Sequence, residues 1–239
     1  MLYLTDFPLC LQTIGNLYCL SVQSYCFDTN NFLFGWKTCP TNWNDDAVFG
    51  DTPFFGAQPP FWMELRRPPY YTNSLDLAFE IITSQTNQPP PPTNNIGQKW
   101  LQIPDTTPNG IDVQIHDWSM LADDFRCTAT GPITEVRIWG SWLHDVVWAN
   151  PCFCIGLWTD IPVSPTNPYP YSLPGQLLCE TCFYPGQYTN SLYTNVYWEQ
   201  FWDPWNPISG LTDSQVWEYV FSIPTNSCWW QTNGNTYWL

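Results

Sequence analysis

The chain is short of positive charge. Six lysines and arginines stand against 21 aspartates and glutamates in 239 residues, for a formal net charge of -15. Six cations cannot furnish the basic stripe that neutralises a phosphate backbone, so neither nucleic acid nor an anionic membrane surface is an expected partner. Charge of either sign is scarce, at 11% of residues. No apolar run approaches the roughly 20 residues of a membrane span, so no membrane insertion is expected. No long 3.6-residue apolar stripe is present, which argues against helices. The two histidines, His116 and His144, lie near no G-x-S-x-G elbow and no cysteine that would pair with them in sequence, and there is no glycine loop to cradle phosphate. His144 beside Asp145 reads as a loop residue. No catalytic residue is assigned, and the chain is not expected to be an enzyme.

What the chain has in quantity is aromatic residues and proline: 16 Trp, 13 Tyr, 14 Phe and 24 Pro. That mixture favours short aromatic-rich strands divided by proline turns. The segments 17–27, "NFLFGWKT", 75–82, 133–143, 152–162, 175–184, 216–224 and 235–239 read as strands, and 133–143, "ITEVRIWGSWL", alternates most clearly. Gly35 marks a bulge or a close approach, and the stretch between "NFLFGWKT" and residue 75 reads as loop. Asn233-Gly234 is a hairpin-turn signal, since both residues tolerate positive φ. The expected fold is all-β, a β-sandwich resembling a jelly roll with long Pro-rich loops. The run "SQTNQPPPPTNN" at 84–95 cannot be a central strand. It either holds two bodies apart or carries the chain across the outside of one.

Ten cysteines suggest an oxidising compartment and hence an extracellular or cell-surface protein. The first residues, "MLYLTDFPLCLQTIG", do not look like a signal peptide, so the expectation is that a leader was removed or that Met1 is not a natural start. Cys152, Cys154, Cys179 and Cys182 are candidates for disulfides, with at least one cross-strand bridge between the first pair and the second. A zinc site of the same four thiolates is the less favoured reading, because C-x-C within a strand is a poor knuckle. Most cysteines are expected to be oxidised. The doublets Asp45-Asp46 and Asp123-Asp124 read first as turn-forming Asx residues and second as a possible calcium site. Neither doublet alone places two carboxylates across a glycosidic bond, because neighbours on a strand face opposite ways. Apart from that possible calcium, no cofactor is expected. Trp100, Trp118, Trp139, Trp142, Trp158, Trp198, Trp202 and Trp205 either line a sugar-stacking face or serve the core and interfaces.

The end of the chain, "QTNGNTYWL" at 231–239, repeats "QTIGNLYCL" at 12–20 with an offset of 219 residues. The segments "KWLQIPDTTPNGIDVQI", "LADDFRCTATGPITEVRIWGSWL", "LWTDIP", "PGQLLC" and "YPGQY", with "FGWKTCPTNWNDDAVFGD" and "FWMELRRP" through "SLDLAFEI", resemble an uncharacterised β-rich module. That module occurs in secreted and cell-surface proteins of planctomycete-like bacteria, sometimes in tandem. The resemblance implies no activity. It implies an order: residues 1–84 are similar to the end of a module and 99–239 to the beginning of one, with 85–98 as linker.

Two structures satisfy that permuted order. Either the chain closes on itself as a circular permutant, or residues 1–84 of one chain complete 99–239 of the next, head to tail. The functional expectation is a structural subunit or repeat of an extracellular filament or surface array, a homopolymer partnered by itself. Its assembly strands would contain Gln12, Leu17, Tyr18, Leu20 and Val22 at one end and Tyr237, Trp238 and Leu239 at the other. The alternative is a monomeric secreted carbohydrate-binding or adhesion module, with glycans as partners and calcium dependence.

Overall fold

The computed structural model describes residues 18–25, 32–51, 61–69, 72–83, 97–115, 119–128, 130–165, 167, 169–205, 211–224, 229–231 and 233–239. The strands are β1 (Tyr18–Tyr25), β2 (Phe34–Lys37), β3 (Val48–Asp51), β4 (Met63–Glu64), β5 (Phe79–Ile82), β6 (Gln98–Gln102), β7 (Ile111–Ile115) and β8 (Ser119–Arg126). They continue with β9 (Gly131–Pro132), β10 (Glu135–Trp142), β11 (Cys152–Ile161), β12 (Leu173–Phe183), β13 (Tyr188–Trp202), β14 (Thr212–Ser222), β15 (Trp230–Gln231) and β16 (Thr236–Trp238). One turn of 3-10 helix, Leu143–Asp145, interrupts them. No helix among the described residues is long and apolar enough to cross a membrane.

The protein is an all-β sandwich of two seven-stranded sheets. In the first, β12 and β1 flank β11, and the order runs on through β16, β8, β3 and β4. In the second, the order is β14-β13-β7-β2-β10-β5-β6. Because β10 also pairs with β14, the five strands β14, β13, β7, β2 and β10 close into a ring. The inner faces share one core: Val22, Leu121, Phe125, Ile155 and Leu157 from the first sheet meet Phe34, Trp36, Val113, Ile138 and Tyr219 from the second. Alternation explains the sorting in β10, where Val136 and Ile138 are buried while Glu135 and Arg137 are half-exposed. A smaller cluster of Val48, Trp62, Met120, Ala122, Trp158, Tyr171, Leu173 and Trp238 covers the other face of the first sheet. This second cover is why β8 and β11 are buried along nearly their whole length.

The proline run does not separate two bodies. β1 lies beside β11 and β8, β2 between β7 and β10, and β5 between β10 and β6, so residues 18–83 and 97–239 share both sheets. Thr83 N–H donates to Gly97 C=O at 2.6 Å, bringing the two ends of the intervening segment together. Residues 84–96 themselves lie outside the described residues.

Three local expectations are refined. Gly35 is a close approach: a Cβ there would stand 2.8 Å from the Phe201 ring and 2.9 Å from Asp112 Cβ. Asn233-Gly234 forms a turn with Gly234 at φ +92°, but it joins no hairpin. β15 before it pairs with β9, and β16 after it pairs with β8 and β11. The stretch before residue 75 is not all loop, since β3 and β4 lie within it; strands of two to four residues among Asn, Asp and Pro carry too little pattern to be read.

Candidate functional site

Two places concentrate the unusual features of the chain. The first is the lane of the sheet between β8 and β11. β16 runs antiparallel to β8 with Tyr237 opposite Phe125 and Trp238 opposite Asp124, and Leu239 exchanges both backbone hydrogen bonds with Asp123. β1 enters the same lane, with Leu20 opposite Asp123, Ser21 opposite Ala122 and Val22 opposite Leu121. Leu20 and Leu239 therefore share one partner, Asp123. On the other side Cys19 and Trp238 share Trp158. Both coincidences occur at the offset of 219 that separates the repeated segments. The two copies thus take one place in the sheet, and Ser21 onward continues the line that β16 begins.

Side chains lock this lane. The Trp158 indole N–H donates to Ser21 Oγ at 2.8 Å, and the Trp238 indole N–H to Asp160 Oδ1 at 2.8 Å. Burial raises the Asp160 carboxyl to about 6, against the pull of that indole bond. Tyr237, Trp238 and Leu239 are fully buried, as is Val22. For Tyr18 and Leu20 the backbone pairing alone is described, and Gln12 and Leu17 lie outside the described residues.

The second place is inside the ring of five strands. Lys37 of β2 reaches Asp112 Oδ2 of β7 at 3.0 Å and Glu199 Oε2 of β13. All three side chains are fully buried. Asp213 of β14 is nearly as deep, at 1% exposure, and the Ser141 hydroxyl of β10 lies beside Asp112. Each strand of the ring contributes one polar group. Asp112, Glu199 and Asp213 each offer an oxygen within 4.8 Å of the others, and no other group of three acidic, thiol or imidazole ligands does so among the described residues. Burial raises all three carboxyls, Glu199 to about 7 against the attraction of Lys37, and Asp213 to about 9 with repulsion from Asp112 added. Burial works to lower the Lys37 ammonium, but Asp112 and Glu199 outweigh it and hold the pKa above its ordinary value.

The doublets singled out from sequence come near one another without forming such a set. Asp45 Oδ1, at a bend, accepts from Asp46 N–H at 3.0 Å. Asp123 Oδ1 accepts from Asp124 N–H at 2.8 Å, but this doublet lies within β8 and not in the turn expected of it, because the strand buries both residues between two apolar layers. Asp45 Oδ2 also holds Ser172 N–H and Oγ–H, and Asp123 Oδ2 accepts from Leu77 N–H and Gln102 Nε2. Asp46 lies 3.1 Å from Arg66, while Asp124 accepts from Asn44. Asp76, not singled out in the sequence, joins them: burial, then repulsion from Asp123, raises its carboxyl to about 9.

Of the cysteines, Cys154 and Cys182 stand opposite each other on β11 and β12 and form a disulfide, and Cys179 is also disulfide-bonded. Cys152 is a buried thiol rather than a second member of the bridge, as are Cys39 and Cys127. The tryptophans named as a sugar-stacking face mostly serve the core. Trp139, Trp142, Trp158 and Trp202 are buried, Trp100 and Trp205 are half-buried, and Trp118 lies outside the described residues, as does His116. Trp198 is exposed, beside exposed Tyr197.

A family model of a domain of unknown function, DUF7901, matches residues 5–82 and 98–239. The chain belongs to the DUF7901 family. No curated protein and no solved structure matches it.

The ring cluster was missed in the sequence because Asp112 and Glu199 are 75 and 162 residues from Lys37 along the chain, and neither they nor Asp213 lie in a segment read as a strand. The one available signal was scarcity. The only two lysines, Lys37 and Lys99, both stand within strands, and both are buried.

Proposed function

We propose that this DUF7901 chain is a structural module of the cell exterior whose copies link head to tail by sharing the β8–β11 lane. The observation that carries the reading is the double claim on one lane: Cys19 and Trp238 on Trp158, Leu20 and Leu239 on Asp123. A strand position claimed twice within one chain is a position that another copy can fill. The donated strand brings a full ladder of hydrogen bonds and buried alternate side chains, which is the physics of strand addition and of domain swapping. The contacts that β1 makes in its own chain are available unchanged to β1 of a neighbour. Because the contact is heterologous, it need not close on itself and can repeat from copy to copy. The Cys154–Cys182 bridge and the disulfide-bonded Cys179 fit an oxidising exterior.

The test compares the full chain with a variant lacking residues 1–27, by sedimentation and negative-stain electron microscopy over a rising concentration series. The full chain is expected to elongate. The truncated chain is expected to stay short and to cap elongation of the full chain when mixed with it. A full chain that remains a compact monomer at high concentration, or a truncated chain that still forms fibres, overturns the reading. Exposed Tyr197 and Trp198 supply the observation for a glycan-binding alternative, and calcium-dependent retention of a monodisperse monomer on a glycan array would favour it.

A further inference from the structure

Inside the five-strand ring, Lys37 uses one oxygen of each of two carboxylates, Asp112 Oδ2 and Glu199 Oε2. The remaining oxygens, Asp112 Oδ1 and Glu199 Oε1, have no hydrogen-bond partner, and neither oxygen of Asp213 has one. Four carboxylate oxygens are thus left over in a region from which water is excluded. An orphaned buried carboxylate oxygen is costly, because it has lost its hydration and gained nothing in return. Asp213 is the telling member: it takes no part in the lysine pair, its side chain is almost wholly buried, and it converges on Asp112 and Glu199.

Charge points the same way. Three ionised carboxylates against one ammonium leave two negative charges, which in a buried β-ring must be neutralised by protons or by a cation. One divalent cation restores neutrality and supplies a partner to one oxygen of each of the three carboxylates. All the donors are hard oxygens with no thiolate or imidazole among them, which selects cations of the calcium and magnesium class over zinc or copper. Oxygen ligands on opposite sides of such an ion, at about 2.4 Å each, lie about 4.8 Å apart, the span within which these three groups fall. Gly110 sits directly over the cluster: a Cβ there would stand 2.6 Å from Glu199 Oε1 and 2.8 Å from Lys37 Nζ. The bare backbone of Gly110 ends the loop between β6 and β7, whose residues 106–109 are exposed.

We propose that Asp112, Glu199 and Asp213 bind one hard divalent cation of the calcium or magnesium class, with Lys37 as the fixed fourth charge that neutralises the set. The ion stitches β7, β13 and β14 together and is structural. The site is independent of the strand lane and of any assembly through it.

The experiment uses the full-length chain. It is treated with a chelator, dialysed into metal-free buffer, and divided among calcium, magnesium, manganese and no addition. Bound metal is counted by elemental analysis after removal of free ion, and each sample is melted. The expected result is one divalent ion per chain. At a free concentration about a hundredfold above Kd, the melting midpoint should rise by about 5 to 10 °C over the chelated sample. Asp213→Asn, which keeps the side-chain volume and removes one charge, should lose the stoichiometric ion and the shift while retaining the β-sheet circular-dichroism spectrum. Should Asp213→Asn fail to fold, the wild-type stoichiometry and shift decide alone. A wild-type chain that binds no divalent ion and melts identically in all four buffers overturns the proposal and leaves two protons as the neutralising charges. Binding that survives Asp213→Asn at full stoichiometry overturns it too, by placing the ion elsewhere.

Discussion

At the scale of single residues, the chain puts its rarest side chains where they are least expected. Lysine is ordinarily among the most exposed residues, yet both lysines here are buried. Lys37 holds Asp112 and Glu199, and Lys99 donates to Gly131 C=O at 2.6 Å and Gln231 Oε1 at 3.1 Å. With burial pulling it down, Lys99 titrates near 8. A carboxyl offers the clearest pH test. Asp160, raised by burial to about 6, binds its proton more tightly in the folded chain than in the unfolded one, where the value is about 3.9. Its contribution is therefore complete below about pH 4 and is lost as pH rises through about 6. Wild type should lose stability relative to Asp160→Asn between about pH 4 and pH 7, because the amide accepts the Trp238 indole bond without an ionisation to suppress. The expected divergence is a few °C in melting midpoint, on the scale of about 2 to 4 °C per kcal/mol for a chain of this size. Midpoints that run parallel across that range would mean that Asp160 is ordinary.

At the scale of elements, the strands legible in the sequence were those with strong apolar alternation. β10 and β11 fall within segments read as strands, and β12 and β14 overlap such segments but begin two and four residues before them. β13 was not legible. Its fifteen residues, "YTNSLYTNVYWEQFW", are mostly exposed along the first half and carry two register shifts against β14, so they show neither a clean alternation nor a hydrophobic run. β7 and β8 were not read as strands, because both faces of each are buried and alternation disappears. The cross-strand bridge was legible, since a C-x-C pair on one strand face can meet a partner across the ladder; which cysteine of the pair would be used was not. Cys154–Cys182 closes a separation of 28 residues and pins β12 to β11. Replacing both with serine should cost about 2 to 4 kcal/mol in denaturant unfolding. A cost near zero would show that the ladder between β11 and β12 alone holds the strand in place.

At the scale of the whole molecule, one closed sandwich contains two equivalents of the same short segment. The repeat of "QTIGNLYCL" and "QTNGNTYWL" was visible in the sequence, but its geometric meaning was not, since two stretches can be alike without meeting. Their meeting at Asp123 and Trp158 puts both in one lane of the sheet, and the proposal that this protein is a linking module rests on that. The most direct test asks whether β1 of one copy enters the lane of another. Val22 and Ile155 face each other across β1 and β11, and both are buried in the shared core. A chain carrying Val22→Cys is mixed with an isotope-labelled chain carrying Ile155→Cys, the mixture is cycled through mild denaturant to allow exchange, and cross-linked peptides are read by mass spectrometry. The account predicts a linkage between residues 22 and 155 that joins unlabelled to labelled peptide. A chain carrying both substitutions that links within itself, with no linkage between chains in the mixture at any concentration, would contradict it.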